Sequence, residues 1–175
     1  MEEKGLMFSR YISSRNVSHS DTAIRLGISN VPTKRQLTVL KHLADNFYDN
    51  LVANYGAAPS VTSFFRNRAL NTAINGARNS DHMVLGDVAA IDIKHGNNVN
   101  LFFFILENFD FYKLIAEFPI NGKPSWVHVS FSTDPTKNSM RKVMVAKKKR
   151  VLENGKWVNR TFYTNFDSNK NERYG

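Results

Sequence analysis

His82, Asp87 and Asp92 fall within eleven positions of one another, and Asp92 sits inside the short apolar run Ala89-Ala90-Ile91-Asp92-Ile93. Imidazole and carboxylate groups carried on a rigid strand are the materials of a metal site, and hydrolytic zinc needs three such protein ligands plus an open position for water. A third ligand must then come from elsewhere in the chain, and the candidate is His128 in the alternating run Trp126-Val127-His128-Val129-Ser130-Phe131. A carboxylate within reach must take the water's proton, and Glu117 is the candidate base. The same residues are also consistent with ordinary surface or core-satisfied side chains. The remaining histidines, His19, His42 and His95, fall in a terminal segment, on a helix and in a turn, and read as structural or exposed.

Composition limits what such a site can belong to. The chain has 175 residues, 42% hydrophobic and 12% aromatic, enough for one core and short for two. It contains no cysteine, which excludes disulfide frameworks, thiolate nucleophiles and cysteine-ligated zinc. Any metal site must be built from His and carboxylate. No segment approaches the roughly 20 apolar residues of a membrane span, and the first residues lack a signal-length apolar stretch, so a soluble chain without an export signal of its own is expected. The formal charge of +9 fits a polyanionic partner or a solubilising surface; a nucleic-acid-binding module would rest on that charge alone. Gly-rich phosphate loops and a GxSxG elbow are absent, which argues against nucleotide binding and the common serine hydrolases.

The elements that must hold these residues can be read in order. Residues 1–20 show no clean period and are expected to form an arm. Thr33 and Gln36 make a capping box for a helix whose stripe is Leu37, Leu40, Ala44, Phe47 and Leu51, ending near Gly56, an arrangement that leaves one apolar face to pack. Residues 60–65 read as a strand delivering Arg66 and Arg68 to a turn, followed by a short helix around 70–74. Residues 88–94 read as a central strand, and a helix capped near Asn98 runs to about Asn108. Asn121-Gly122 between two alternating runs predicts a hairpin. Its opposed positions sum to an odd number, so Glu117 shares a face with Trp126, His128 and Ser130. A second hairpin turns at Asn154-Gly155, with Ala146-Lys147-Lys148-Lys149-Arg150 either contacting phosphates or guarding a sheet edge. Residues 165–175 read as a loose tail.

The ordered segments Ser63-Phe64-Phe65-Arg66, Leu70 to Ala77, Asn79-Ser80-Asp81-His82, Ala89 to Ile93 and Trp126 to Ser130 resemble the M15 zinc peptidases, in particular phage-encoded members of the D-alanyl-D-alanine carboxypeptidase and L-alanyl-D-glutamate endopeptidase group. The resemblance runs from about Thr22 to Arg141. It implies a small α+β domain at 21–141, an antiparallel sheet with flanking helices, which leaves the arm at 1–20 before it and the basic hairpin and tail at 142–175 after it. By the same resemblance His82, Asp92 and His128 would bind Zn2+, Arg66 would orient substrate or stabilise the tetrahedral intermediate, Ser80 would line the site, and Glu117 would be the base. The implied partner is bacterial peptidoglycan, in lysis or cell-wall penetration by a bacteriophage, in the host cytoplasm and then the cell wall or in the virion tail. The alternative is a phage virion or tail component that keeps the fold with weakened or lost activity and binds neighbouring tail proteins. Three departures accompany the resemblance. Asp92 follows His82 by ten positions rather than seven, so Asp87 competes as ligand. Ser125 stands where an acidic base often precedes the late His. Phe64 replaces a glycine, which would narrow the approach to Arg66.

Overall fold

The computed structural model describes residues 6–166, and the end of the tail expected at 165–175 lies outside them. Helices α1 (Ser14–Ser18) and α2 (Asp21–Arg25) lead into α3 (Lys34–Leu43), which continues through a π turn, Ala44–Tyr48, into α4 (Asp49–Tyr55). The capping box is formed: Thr33 Oγ1 accepts from the Gln36 backbone and Gln36 Oε1 from the Thr33 backbone, so two otherwise orphaned donors are satisfied. Gly56, at φ 76°, ends the helix in the left-handed region that glycine adopts without strain. Then come β1 (Ser60–Ser63), α5 (Arg68–Ala73), a 3-10 turn (Asp81–Met83), β2 (Val88–Lys94), α6 (Asn98–Asn108), β3 (Lys113–Glu117), β4 (Trp126–Ser132), α7 (Pro135–Asn138), β5 (Lys142–Glu153) and β6 (Lys156–Asn165).

The six strands form one sheet in the order β1-β2-β4-β3-β5-β6. Every pairing is antiparallel except β3 with β5, which run parallel because the chain crosses from β4 through α7 to the far side of β3. Both predicted hairpins close on Asn-Gly, with positive φ at Asn121, Gly122, Asn154 and Gly155, as such tight turns require. Glu117 pairs with Trp126 and Ile115 with His128, the odd-sum register that the alternation predicts.

Period-two alternation gives the two faces opposite chemistry. One face presents Ala89, Ile91, Ile93, Leu114, Ala116, Val127, Val129 and Val145, all buried in a single core with Leu40, Leu43, Phe47 and Leu51 of the long helical segment and Leu101, Phe102 and Ile105 of α6. The other face presents Asp92, His128, Ser130 and Glu117, also buried. Over its described residues the expected N-terminal arm adds Ile12 and Val17 to the core, and the Asp49 carboxylate accepts hydrogen bonds from Ser9 Oγ and the backbone of Arg10 and Tyr11. No helix among the described residues is long and apolar enough to cross a membrane.

Candidate metal centre

Asp92 and His128 are direct partners across β2 and β4, so their side chains leave the same face side by side. His82 reaches them from the 3-10 turn, which the Arg66 backbone N–H anchors by donating to the His82 carbonyl. Val84 then takes φ 50°, an unfavourable left-handed conformation for a β-branched residue, and turns the chain away directly behind the histidine. One nitrogen from each imidazole and one oxygen of Asp92 all lie within 4.8 Å of one another, and the three residues are buried.

The hydrogen-bond network fixes which atoms face the centre. His82 Nδ1 is 2.6 Å from the Phe64 carbonyl, which can only accept, so Nδ1 carries the proton and Nε2 of the neutral ring presents a lone pair. That Nε2 is fully buried, makes no hydrogen bond, and stands 3.2 Å from Asp92 Oδ1. On the other side, Ser130 Oγ donates to Asp81 Oδ2 at 2.6 Å, leaving it to accept from His128 Nε2–H at 2.9 Å. Nδ1 of His128 lies 2.9 Å from Asp92 Oδ1, where it shares a proton with that oxygen or, once that proton gives way to a metal, presents its lone pair. With both rings neutral the pocket holds three acceptors facing one another, and these repel unless a proton or a metal ion sits among them. Two imidazole nitrogens and a carboxylate oxygen, each ring held through its other nitrogen, form the donor set and the supporting hydrogen bonds of a zinc-type site.

Electrostatics agree with this arrangement. Burial pushes His82 down, against the pull of Asp92, and keeps the ring in the neutral form that can ligate. Burial alone would raise Asp92, but in the metal-free protein the charged form of His82 and a hydrogen bond from His128 hold it well below the usual carboxylate range. Arg66 donates to Asp92 Oδ2 at 2.6 Å and to Ser63 Oγ at 2.9 Å, which reserves Oδ1 for the centre. Glu117, with 6% of its surface exposed, lies on the same face two residues beyond Ile115, the partner of His128. Burial raises its carboxyl to about 7, Asp92 adds to that, and His128, Arg66 and Lys148 oppose it. A carboxyl poised there can take and return a proton near neutral pH.

The structure therefore gathers His82, Asp92, His128, Arg66 and Glu117 on one face. Asp87 lies elsewhere, its carboxylate paired with Lys137 Nζ at 2.6 Å and Ser132 Oγ at 2.8 Å. Ser80 starts the 3-10 turn and makes no side-chain cap there, while its neighbour Asp81 carries the contact to Ser130 and also accepts from Lys113 at 2.7 Å. Phe64 does not narrow the way to Arg66: its ring is 1% exposed and packs in the core against Phe8. Ser125 spans the hairpin, its Oγ donating to the Phe118 carbonyl at 2.8 Å. Asp81 and Ser130, which lie in the motif segments without a role of their own, and Lys113, which no motif includes, are hydrogen-bonded behind the centre. The signal for Ser130 is its place two residues after His128 on one strand face; nothing local marks the lysine.

The model of the family described as Peptidase M15 matches residues 10–130. No curated protein and no solved structure matches the chain.

Proposed function

The chain belongs to the M15 peptidase family, and from that premise we propose that it is a zinc-dependent peptidase cutting peptidoglycan stem peptides or cross-bridges in a bacteriophage setting. The observation that carries the metal part is the buried, unpartnered His82 Nε2 facing Asp92 Oδ1. His82, Asp92 and His128 would hold the ion, which when bound supplies Lewis acidity toward water and the peptide carbonyl.

The chain's own groups carry out the proton work. Glu117 accepts a proton from the attacking water as the new C–O bond forms. It then returns that proton to the amide nitrogen as the C–N bond breaks, so the carboxyl ends as it began. Arg66 holds Asp92 in place and sets a positive charge beside the reacting centre, where negative charge develops on the carbonyl oxygen. What supports peptidoglycan and a phage origin is the resemblance in the motif segments, together with a +9 chain suited to an anionic wall.

A virion component that keeps the fold without turnover would retain the metal and release no peptide. The raised carboxyl of Glu117 favours the enzyme, since a scaffold gains nothing from it. Elemental analysis of wild type beside His128→Ala, followed by digestion of purified peptidoglycan, tests the reading. About one zinc per chain, lost in the variant along with peptide release, is the expected result; a wild type free of zinc and of hydrolysis would overturn it.

A further inference from the structure

The family match ends at residue 130, but the sheet face that bears the site does not. Glu117 pairs with Ala146 of β5, and Ala146 with Tyr163 of β6. With Trp126 opposite Glu117, the residues Trp126, Glu117, Ala146 and Tyr163 form one row across four strands, all on the side of the metal centre. Strand spacing puts the Tyr163 backbone on the order of 10 Å from that of Glu117. The residue between them carries only a methyl group, yet Ala146 is 0% exposed, so side chains from the neighbouring strands close over it.

A second observation lies at the end of β3. Phe118 has a positive φ, and this left-handed conformation breaks the strand alternation. It is held there by its N–H donating to the Ala146 carbonyl and by its own carbonyl accepting from Ser125 Oγ. The ring consequently stands edge-on to Trp126, centroids 5.3 Å apart, and beneath the Lys148 ammonium at 4.8 Å. Lys148 forms no ion pair among the described residues, although Lys113, Lys137, Arg141 and Arg160 all do. Backbone strain of this kind persists where the surroundings enforce it, and here it steadies an unpaired cation beside the candidate base.

We propose that the C-terminal hairpin is the substrate-positioning wall of the site: the Tyr163 hydroxyl donates to a carbonyl of the bound peptide, and Lys148 takes a carboxylate of the same peptide. This rests on the peptidase reading and gives the hairpin, which lies outside the family match, the task of holding the peptide. Tyr163 is half-exposed, and its partial burial, then the charges of Glu117 and Asp92, push the phenol up to about 12, so it stays a neutral donor wherever the enzyme works.

The test uses the zinc-loaded full chain with two probes, a muropeptide whose stem carries free carboxylates and the same muropeptide amidated. Tyr163→Phe should raise KM about fivefold to tenfold for both, leave kcat within about twofold and leave zinc content unchanged. Lys148→Gln should raise KM for the acid and leave KM for the amide unchanged. If wild type cleaves and neither variant moves KM, the wall is overturned and the peptidase reading stands. A fall in kcat at constant KM in Tyr163→Phe also overturns positioning. Wild type that neither binds nor cleaves either probe overturns both.

Discussion

Ile91 and Asp92 are neighbours on β2, 0% and 4% exposed, and the chemistry around them is opposite. Ile91 enters the dry side of the sheet, where α3 and α6 supply leucine and phenylalanine and only volume has to match. Asp92 enters a side equally closed to water, where each polar atom must find a partner. Around the centre Arg66, His128, Ser130, Asp81 and Lys113 meet that demand, while the fully buried His82 Nε2 has no hydrogen-bond partner among the described residues. Burial therefore means stability on one face and chemistry on the other. On the helical face a missing partner would be a defect; on the site face it marks where a ligand belongs.

Exchanging these two neighbours for alanine breaks the comparison most sharply. Asp92→Ala removes a ligand and leaves Arg66 without its carboxylate, and peptide release should fall by at least ~1,000-fold, with zinc lost, as read by elemental analysis and turnover. Ile91→Ala opens a cavity in the core and should cost about 2–5 kcal/mol by denaturant titration, while the folded fraction keeps its zinc and its kcat. Equal zinc loss in both variants would show that the two faces are not independent.

Glu117 sharpens the contrast through pH. Its carboxyl rises from 4.5 to about 7 on folding, so the native state holds a proton that the unfolded chain releases. The stability this contributes is full below about 4.5 and is lost as pH rises to about 7, on the order of 3 kcal/mol for the metal-free protein. Glu117→Gln should abolish that slope in urea titrations at a series of pH values. In the zinc-loaded enzyme the same substitution should keep the metal and lower kcat by ~100-fold or more. Undiminished turnover would remove Glu117 from the mechanism.

Ser130 probes the support beneath the ligands. Ser130→Ala takes away the acceptor that keeps the proton of His128 on Nε2, and zinc affinity should fall about 10- to 100-fold in competition with a chelator. The cost in folding should be small beside Ile91→Ala, because Asp81 retains Lys113.

Local rules made much of this legible in the sequence. The Thr33–Gln36 capping box, the α6 cap expected near Asn98 and found at Asn97, two Asn-Gly turns and the odd-sum register are short-range facts, and the turn and register suffice to place Glu117 on the face of His128. The long-range facts were not legible. Nothing near β3 announces a parallel partner thirty residues on, so the row that brings Tyr163 beside Glu117 could not be read. The π turn at 44–48 has no composition signal, although it leads directly into Asp49 and so into the dock for the N-terminal residues. The resemblance gives Arg66 a role toward substrate or the tetrahedral intermediate, whereas its hold on Asp92 depends on where β1 and β2 meet.

The smallest expected effect separates two aspartates that the sequence could not tell apart. Asp87 precedes β2. It lies five residues before Asp92, roughly 16 Å along an extended chain at the usual rise per strand residue. Its carboxylate is engaged by Lys137 and Ser132 at the strand's start, and hydrogen bonds from those two hold it below the usual carboxylate range. Both members of the ion pair keep more than a third of their side-chain surface in water, 37% for Asp87 and 36% for Lys137, so solvent screens most of their attraction. Asp87→Asn should accordingly cost less than about 1 kcal/mol in denaturant titration and leave zinc content and kcat at wild-type values. Loss of zinc in this variant would move the ligand from Asp92 to Asp87 and undo the division between the strand's buried centre and its solvated end.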